Sequence, residues 1–75
     1  MSDLPSVSGK NAVKAFTKLG FAVARISASH VHLKREGHRF LVSVPVHGNK
    51  DLKTGTLRGL IKASGHTAEE FRNSL

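Results

Sequence analysis

Residues 27–34, Ser-Ala-Ser-His-Val-His-Leu-Lys, decide how the rest of the chain is read. From His30 onward polar and apolar side chains alternate, the period-two signature of a half-buried strand. Successive side chains of a strand point to opposite faces, so Val31 and Leu33 face a core while His30, His32 and Lys34 share the other face. The small residues Ser27, Ala28 and Ser29 mark a turn, and the apolar run Phe21–Ile26 before them predicts a preceding strand. Arg25 in that run is expected on the open face, although the run lacks a clean alternation. Glu36-Gly37 supplies a turn into a third strand, Arg39–Pro45, where Phe40, Val42 and Val44 alternate with Arg39, Leu41 and Ser43. Three consecutive strands with short connections predict an antiparallel meander.

Helical spacing flanks this meander. Ala12, Val13, Phe16 and Leu19 recur at helical intervals, with Ser8 as N-cap and Gly20 as the stop, and Lys10, Lys14 and Lys18 line another face. Beyond the strands, His47–Thr56 reads as a glycine-containing basic loop. A helix through Leu57, Leu60 and Ile61 then ends at Gly65. Thr67 and Glu70 have capping-box spacing and open a last short helix through Phe71 to Leu75. Met1–Val7 is expected to be a flexible tail, and residues 8–75 a single domain. The predicted class is α+β, in the order α-β-β-β-α-α, with a three-stranded antiparallel sheet and helices on one face. That leaves His30, His32, Lys34, Arg39 and Arg25 together on the open face. The layout is similar to that of double-stranded-RNA-binding domains, extended by one helix.

Composition narrows the function. The chain has 75 residues, no cysteine and a formal charge of +7. A chain of this length holds one core. Without cysteine there is no disulfide framework, no thiolate metal site and no thiol nucleophile. The amino terminus is not a signal peptide and no apolar run approaches the roughly 20 residues of a membrane span, so a soluble cytoplasmic protein is expected. Between Lys10 and Lys62, eleven Lys/Arg face only Glu36 and Asp51. Such a block suits a polyanion, because Lys and Arg neutralise phosphates. The five acidic residues form no converging set for a two-metal nuclease, and no phosphate-binding P-loop is present. His30 and His32 at i, i+2 fall short of a structural zinc site, which needs four ligands, so no metal or other cofactor is expected. Histidine can instead move protons near neutral pH. His38 and His66 read as surface residues, and His47 as ordering its loop through a backbone hydrogen bond. Lys50 and Lys53 precede the opening of the second helix near Thr56, where free N–H groups attract phosphate.

Three segments then carry a resemblance: Ala28-Ser29-His30 entering a strand, Val44-Pro45-Val46-His47-Gly48-Asn49-Lys50-Asp51-Leu52, and Gly55-Thr56-Leu57-Arg58. In their order and spacing they closely resemble the HicA toxins, small mRNA interferases of bacterial type II toxin–antitoxin systems. The likeness runs from about Ser8 to Phe71. It implies a double-stranded-RNA-binding-like fold, endoribonuclease activity, and His30 as the histidine essential to RNA cleavage. It also implies a HicB antitoxin that binds the toxin and masks that histidine, with DNA reached only through the antitoxin complex. The family motif is Gly-Ser-His; Ala28 stands in place of its glycine, and the expectation is lost access to positive φ and an altered turn.

The leading expectation is thus a metal-independent endoribonuclease cleaving mRNA with His30. Arg25, Ser29, His32, Lys34, Arg39, Lys50 and Lys53 would bind the RNA, with His32 also a candidate helper in proton transfer. RNA provides its own nucleophile, the 2′-hydroxyl, so deprotonation and stabilisation of the crowded phosphate are the main demands. One alternative is a non-catalytic RNA- or ribosome-binding module. Another is a purely partner-binding role for the open sheet face.

Overall fold

Ser8 starts the ordered architecture by accepting a hydrogen bond from the Asn11 N–H at 3.2 Å, capping α1 (Gly9–Lys18). The computed structural model describes residues 4–75. Gly20, at φ +102°, ends α1 as its spacing predicts. Then come β1 (Ala22–Ser27), β2 (His30–Lys34) and β3 (Val42–Pro45), followed by α2 (Thr54–Ser64) and α3 (Ala68–Asn73). The strands lie in the order β1-β2-β3 and both pairings are antiparallel. Class, order and meander agree with the sequence reading.

The core forms where α1 and α2 meet β2 and β3. Phe16, Leu33, Val42, Val44, Leu57 and Phe71 are fully buried there, and the rings of Phe16 and Phe71 meet at 5.1 Å. Gly65 closes α2 in the left-handed conformation at φ +79°. Thr67 and Glu70 form the expected reciprocal capping box at the start of α3, which places Phe71 against Phe16.

Several boundaries differ from expectation, each for a visible reason. Of the segment expected to be a tail, residues 1–3 lie outside the described residues. Leu4 packs on the core, and Val7 is only 4% exposed with its carbonyl accepting from the Leu52 N–H at 2.8 Å. Phe21 precedes β1: its N–H bonds to the Phe16 carbonyl and its ring packs edge-on against Phe16 at 6.0 Å. The third strand begins at Val42, not Arg39. His38 turns inward to reach the Ala63 carbonyl at 2.7 Å, and this takes the approach to β3 off the sheet. Phe40 is therefore 60% exposed and outside the core. α2 starts at Thr54, two residues before the expected opening.

The helices also cover less of the sheet than expected. Pairing places Val23 beside Leu33 and Ile26 beside Val31, on the helix-facing side. Yet Val23 and Ile26 remain 49% and 67% exposed, because α1 and α2 pack over β2 and β3 and stop short of β1. The irregular alternation of this strand has a local cause: a bulge between Val23 and Arg25 leaves Ala24 unpaired. The bulge returns Arg25 to the face of His32.

Candidate active site

The register assembles the open face row by row. Ser27, His30 and Pro45 are cross-strand partners; Arg25, His32 and Ser43 form the next row; Ala22 and Lys34 follow. Directly opposed residues share a face, so His30, His32 and Lys34 are brought together along the alternation of β2, and the bulge in β1 adds Arg25. The strands contribute no carboxylate. Among the described residues, Arg25, Lys34, Lys50 and Lys53 make no ion pair.

His30 opens the central strand and is exposed. Among the described residues nothing hydrogen-bonds its ring, which stacks beside that of His32 with centroids 6.3 Å apart and planes 19° from parallel. His32 is half-buried and its Nδ1 lies 2.7 Å from the Ser43 hydroxyl. Sequence reading placed Ser43 outward but missed this bond. The missing signal was the register, which sets Ser43 opposite His32.

The turn that delivers His30 is Ala28-Ser29, closed by the Ser27–His30 pair. Ala28 takes φ +54°, and the next residue does not share the positive sign. A positive φ at the first of two central residues is the habit of a type II′ turn, normally a glycine position. The expected loss of positive φ is thus corrected: alanine is held in the left-handed region at a cost of about 1–2 kcal/mol. The Ser29 carbonyl accepts from the Val46 N–H at 2.7 Å, fastening the turn to the end of β3. Gly9 packs on that same end, where an added Cβ would run into the Pro45 carbonyl and Val46.

Beyond Pro45 the chain forms a depression of about 340 Å³ lined by His47, Lys50, Lys53 and Thr56, with Asp51 as its one acidic residue. Lys50 and Lys53 thus gather past the β3 end of the face. The His47 carbonyl, and not its ring, orders the loop by accepting from the Lys50 N–H at 3.0 Å. Lys53 is the N-cap of α2 and makes no side-chain cap bond. Arg39 does not join the group by strand register, since it precedes β3. Among the described residues no three His, Asp or Glu side chains converge as metal ligands.

The other two histidines are not the surface residues expected. His38 donates Nε2–H to the Ala63 carbonyl and packs edge-on against Phe21 at 5.5 Å. Arg35 donates to His66 Nε2 at 2.7 Å, so the ring proton sits on Nδ1 and points to Glu70 Oε1 at 3.2 Å. The Thr67 N–H bonded to the same Glu70 oxygen at 2.8 Å, together with His66, holds the Glu70 carboxyl below its ordinary range. Arg35 also lies over the Phe21 ring at 5.0 Å.

With this geometry in place, comparison with known families is decisive. Residues 9–66 match the family model described as HicA toxin of bacterial toxin–antitoxin. The chain belongs to the HicA toxin family. The match takes in α1, all three strands, the basic depression and α2. No curated protein matches the chain. Membership makes this HicA chain the toxin of a toxin–antitoxin pair, and so implies an antitoxin partner. Among the described residues no helix is long and apolar enough to cross a membrane.

Proposed function

We propose that this HicA toxin is a metal-independent endoribonuclease that cleaves mRNA in the cytoplasm through His30 and is neutralised by a HicB antitoxin. One observation carries the reading: an exposed histidine without a hydrogen-bond partner among the described residues stands on a sheet face that holds Arg25 and Lys34 and no carboxylate. Such a face attracts the phosphate backbone and leaves an imidazole free for proton transfer. In the reaction, the 2′-oxygen bonds to the adjacent phosphorus as its proton leaves, and the bond from phosphorus to the 5′-oxygen breaks. The products are a cyclic phosphate and a 5′-hydroxyl, so no external nucleophile is consumed. His30 transfers a proton in this step. Arg25, Lys34, Lys50 and Lys53 set the path of the strand, Ser29 and His32 line it, and Arg39 joins from the connection between β2 and β3.

Contact with the antitoxin is supported by β1, an edge strand whose Val23 and Ile26 stay exposed on the side of the sheet opposite the basic face. Induced expression of wild type against His30→Ala tests the reading, with growth followed and cellular mRNA ends mapped. Growth arrest with new internal ends, both lost in the variant, is expected. Equal arrest without new ends would instead make the protein a binding module that stalls its target.

A further inference from the structure

Transesterification of RNA needs two proton transfers: one away from the 2′-oxygen and one onto the departing 5′-oxygen. His30 accounts for one. We infer that His32 is the second proton-transfer group, acting as the acid at the leaving oxygen, and that Ser43 positions it. The inference rests on the proposed endoribonuclease reading and assigns a role within that site.

The geometry supplies three reasons. His30 and His32 lie on one strand two residues apart, with rings nearly parallel and 6.3 Å between centroids, close enough to serve one bound strand. Second, the Ser43 hydroxyl, 2.7 Å from His32 Nδ1, fixes the ring and leaves Nε2 as the free nitrogen. Third, the Ser43 hydroxyl can accept from Nδ1–H in both charge states of the ring. With the ring charged, Nδ1–H donates to Ser43 and Nε2 carries the proton to be given up. When Nε2 gives up its proton, Nδ1–H keeps its bond to Ser43. The orienting contact therefore survives the whole step, whichever side of it the ring is on. His30 has no such partner among the described residues and serves as the base that takes the 2′-proton. During cleavage one proton passes to His30 and one leaves His32. Exchange with water restores both.

Other side chains fit the acid role less well. His38 and His66 are committed to Ala63, Arg35 and Glu70 beyond the far end of β2. His47 lies past β3 in the basic depression, outside the paired rows of the sheet.

The test uses purified full-length protein with two substrates: a short RNA, and a uridine 3′-phosphodiester whose leaving group is nitrophenolate. Nitrophenolate departs without a proton, so it bypasses the acid and still requires the base. His30→Ala should lose cleavage of both substrates. His32→Ala should lose roughly 10²–10⁴-fold on RNA and stay within a few-fold of wild type on the activated ester. Ser43→Ala should fall about tenfold on RNA alone, and Ser43→Thr, which restores the hydroxyl, should recover it. Thermal unfolding of each variant identifies any loss due to misfolding, and Ser43→Thr keeps the test open if Ser43→Ala unfolds. Equal losses of His32→Ala on both substrates, or none on RNA, would overturn the assignment while leaving His30 intact. If His30→Ala cleaves both substrates like wild type, His30 is not the base; if wild type itself cleaves neither, the endoribonuclease reading fails.

Discussion

His30 and His32 at the start of β2 and His38 and His66 beyond its end are the same residue type under opposite constraints. At the first end one ring makes no hydrogen bond among the described residues, and its neighbour is held through a single nitrogen by a hydroxyl that can both donate and accept. At the second end His38 is fixed by a backbone carbonyl, and both nitrogens of His66 are occupied, by Arg35 and Glu70. A histidine fixed by protein partners and packed into the fold holds elements together: His38, bonded at Nε2 and packed on Phe21, ties the approach to β3 onto α2, and His66, with both nitrogens filled, ties Arg35 to α3. A histidine with a free nitrogen over a cationic face is available to a substrate. Partner and exposure separate the two roles, and residue type does not.

The largest expected effect comes from exchanging these roles one variant at a time. His30→Ala should lower RNA cleavage by roughly 10²–10⁴-fold and leave the melting temperature unchanged, since the side chain is exposed and makes no hydrogen bond within the described protein. His38→Ala should do the reverse. It removes the bond to Ala63 and the contact with Phe21, costing about 1–3 kcal/mol, and each kcal/mol lowers Tm by about 4–8 °C in a domain this small. Cleavage per folded molecule should hold. Single-turnover rates and melting curves on the same preparations decide it; a rate loss in His38→Ala at full folding would break the comparison.

Gly9→Ala links α1 to the first end. The new methyl meets the Pro45 carbonyl and Val46, neither of which is a flexible side-chain tip. Overpacking of this kind costs typically about 1–3 kcal/mol. Because Pro45 pairs with His30 and Val46 holds the Ser29 turn, cleavage should fall together with stability. Loss of stability with full cleavage per folded molecule would show that the turn does not depend on the α1 contact.

Ala28→Gly sharpens the comparison in the opposite sense. Glycine relieves about 1–2 kcal/mol of left-handed strain and loses about 0.4–1 kcal/mol through a freer unfolded chain. The net expectation is a gain of about 0.5–1 kcal/mol, measured by chemical denaturation, with cleavage unchanged. A net loss would mean that the alanine methyl contributes to the turn.

Much of this organisation was legible from local patterns. Period-two alternation over His30–Lys34 set the face of the candidate site, and Ser8, Gly20, Gly65 and the Thr67–Glu70 box marked helix ends, because each acts within one turn of chain. What escaped the sequence depended on contacts across long separations. The Ser43–His32 bond needs the register of two strands. His38 looked like a surface residue because its partner, Ala63, lies on α2. The late start of β3 and the exposure of Phe40 follow from that one bond. Ala28 was misread for a different reason: its backbone is set by the hairpin it closes, and the fastening of Ser29 to Val46 overrides the preference of alanine.

The smallest expected effect belongs to the second end and concerns pH. The Glu70 carboxylate accepts the Thr67 N–H and faces His66 Nδ1, so its folded pKa lies below the ordinary value. A lowered folded pKa means that the unfolded chain binds more protons between the two values, and stability rises with pH across that window. The contribution is therefore complete above the ordinary carboxylate range and disappears as pH falls through the folded value. Glu70→Gln retains an oxygen to accept the Thr67 N–H but carries no charge to titrate. Denaturation midpoints measured from neutral to acidic pH should converge for wild type and variant at the acid end, with wild type higher near neutrality. Parallel curves would mean that the capping box holds α3 by hydrogen-bond geometry alone. His66 would then be fixed chiefly by Arg35, and the second end would depend on one fewer charge than its distances suggest.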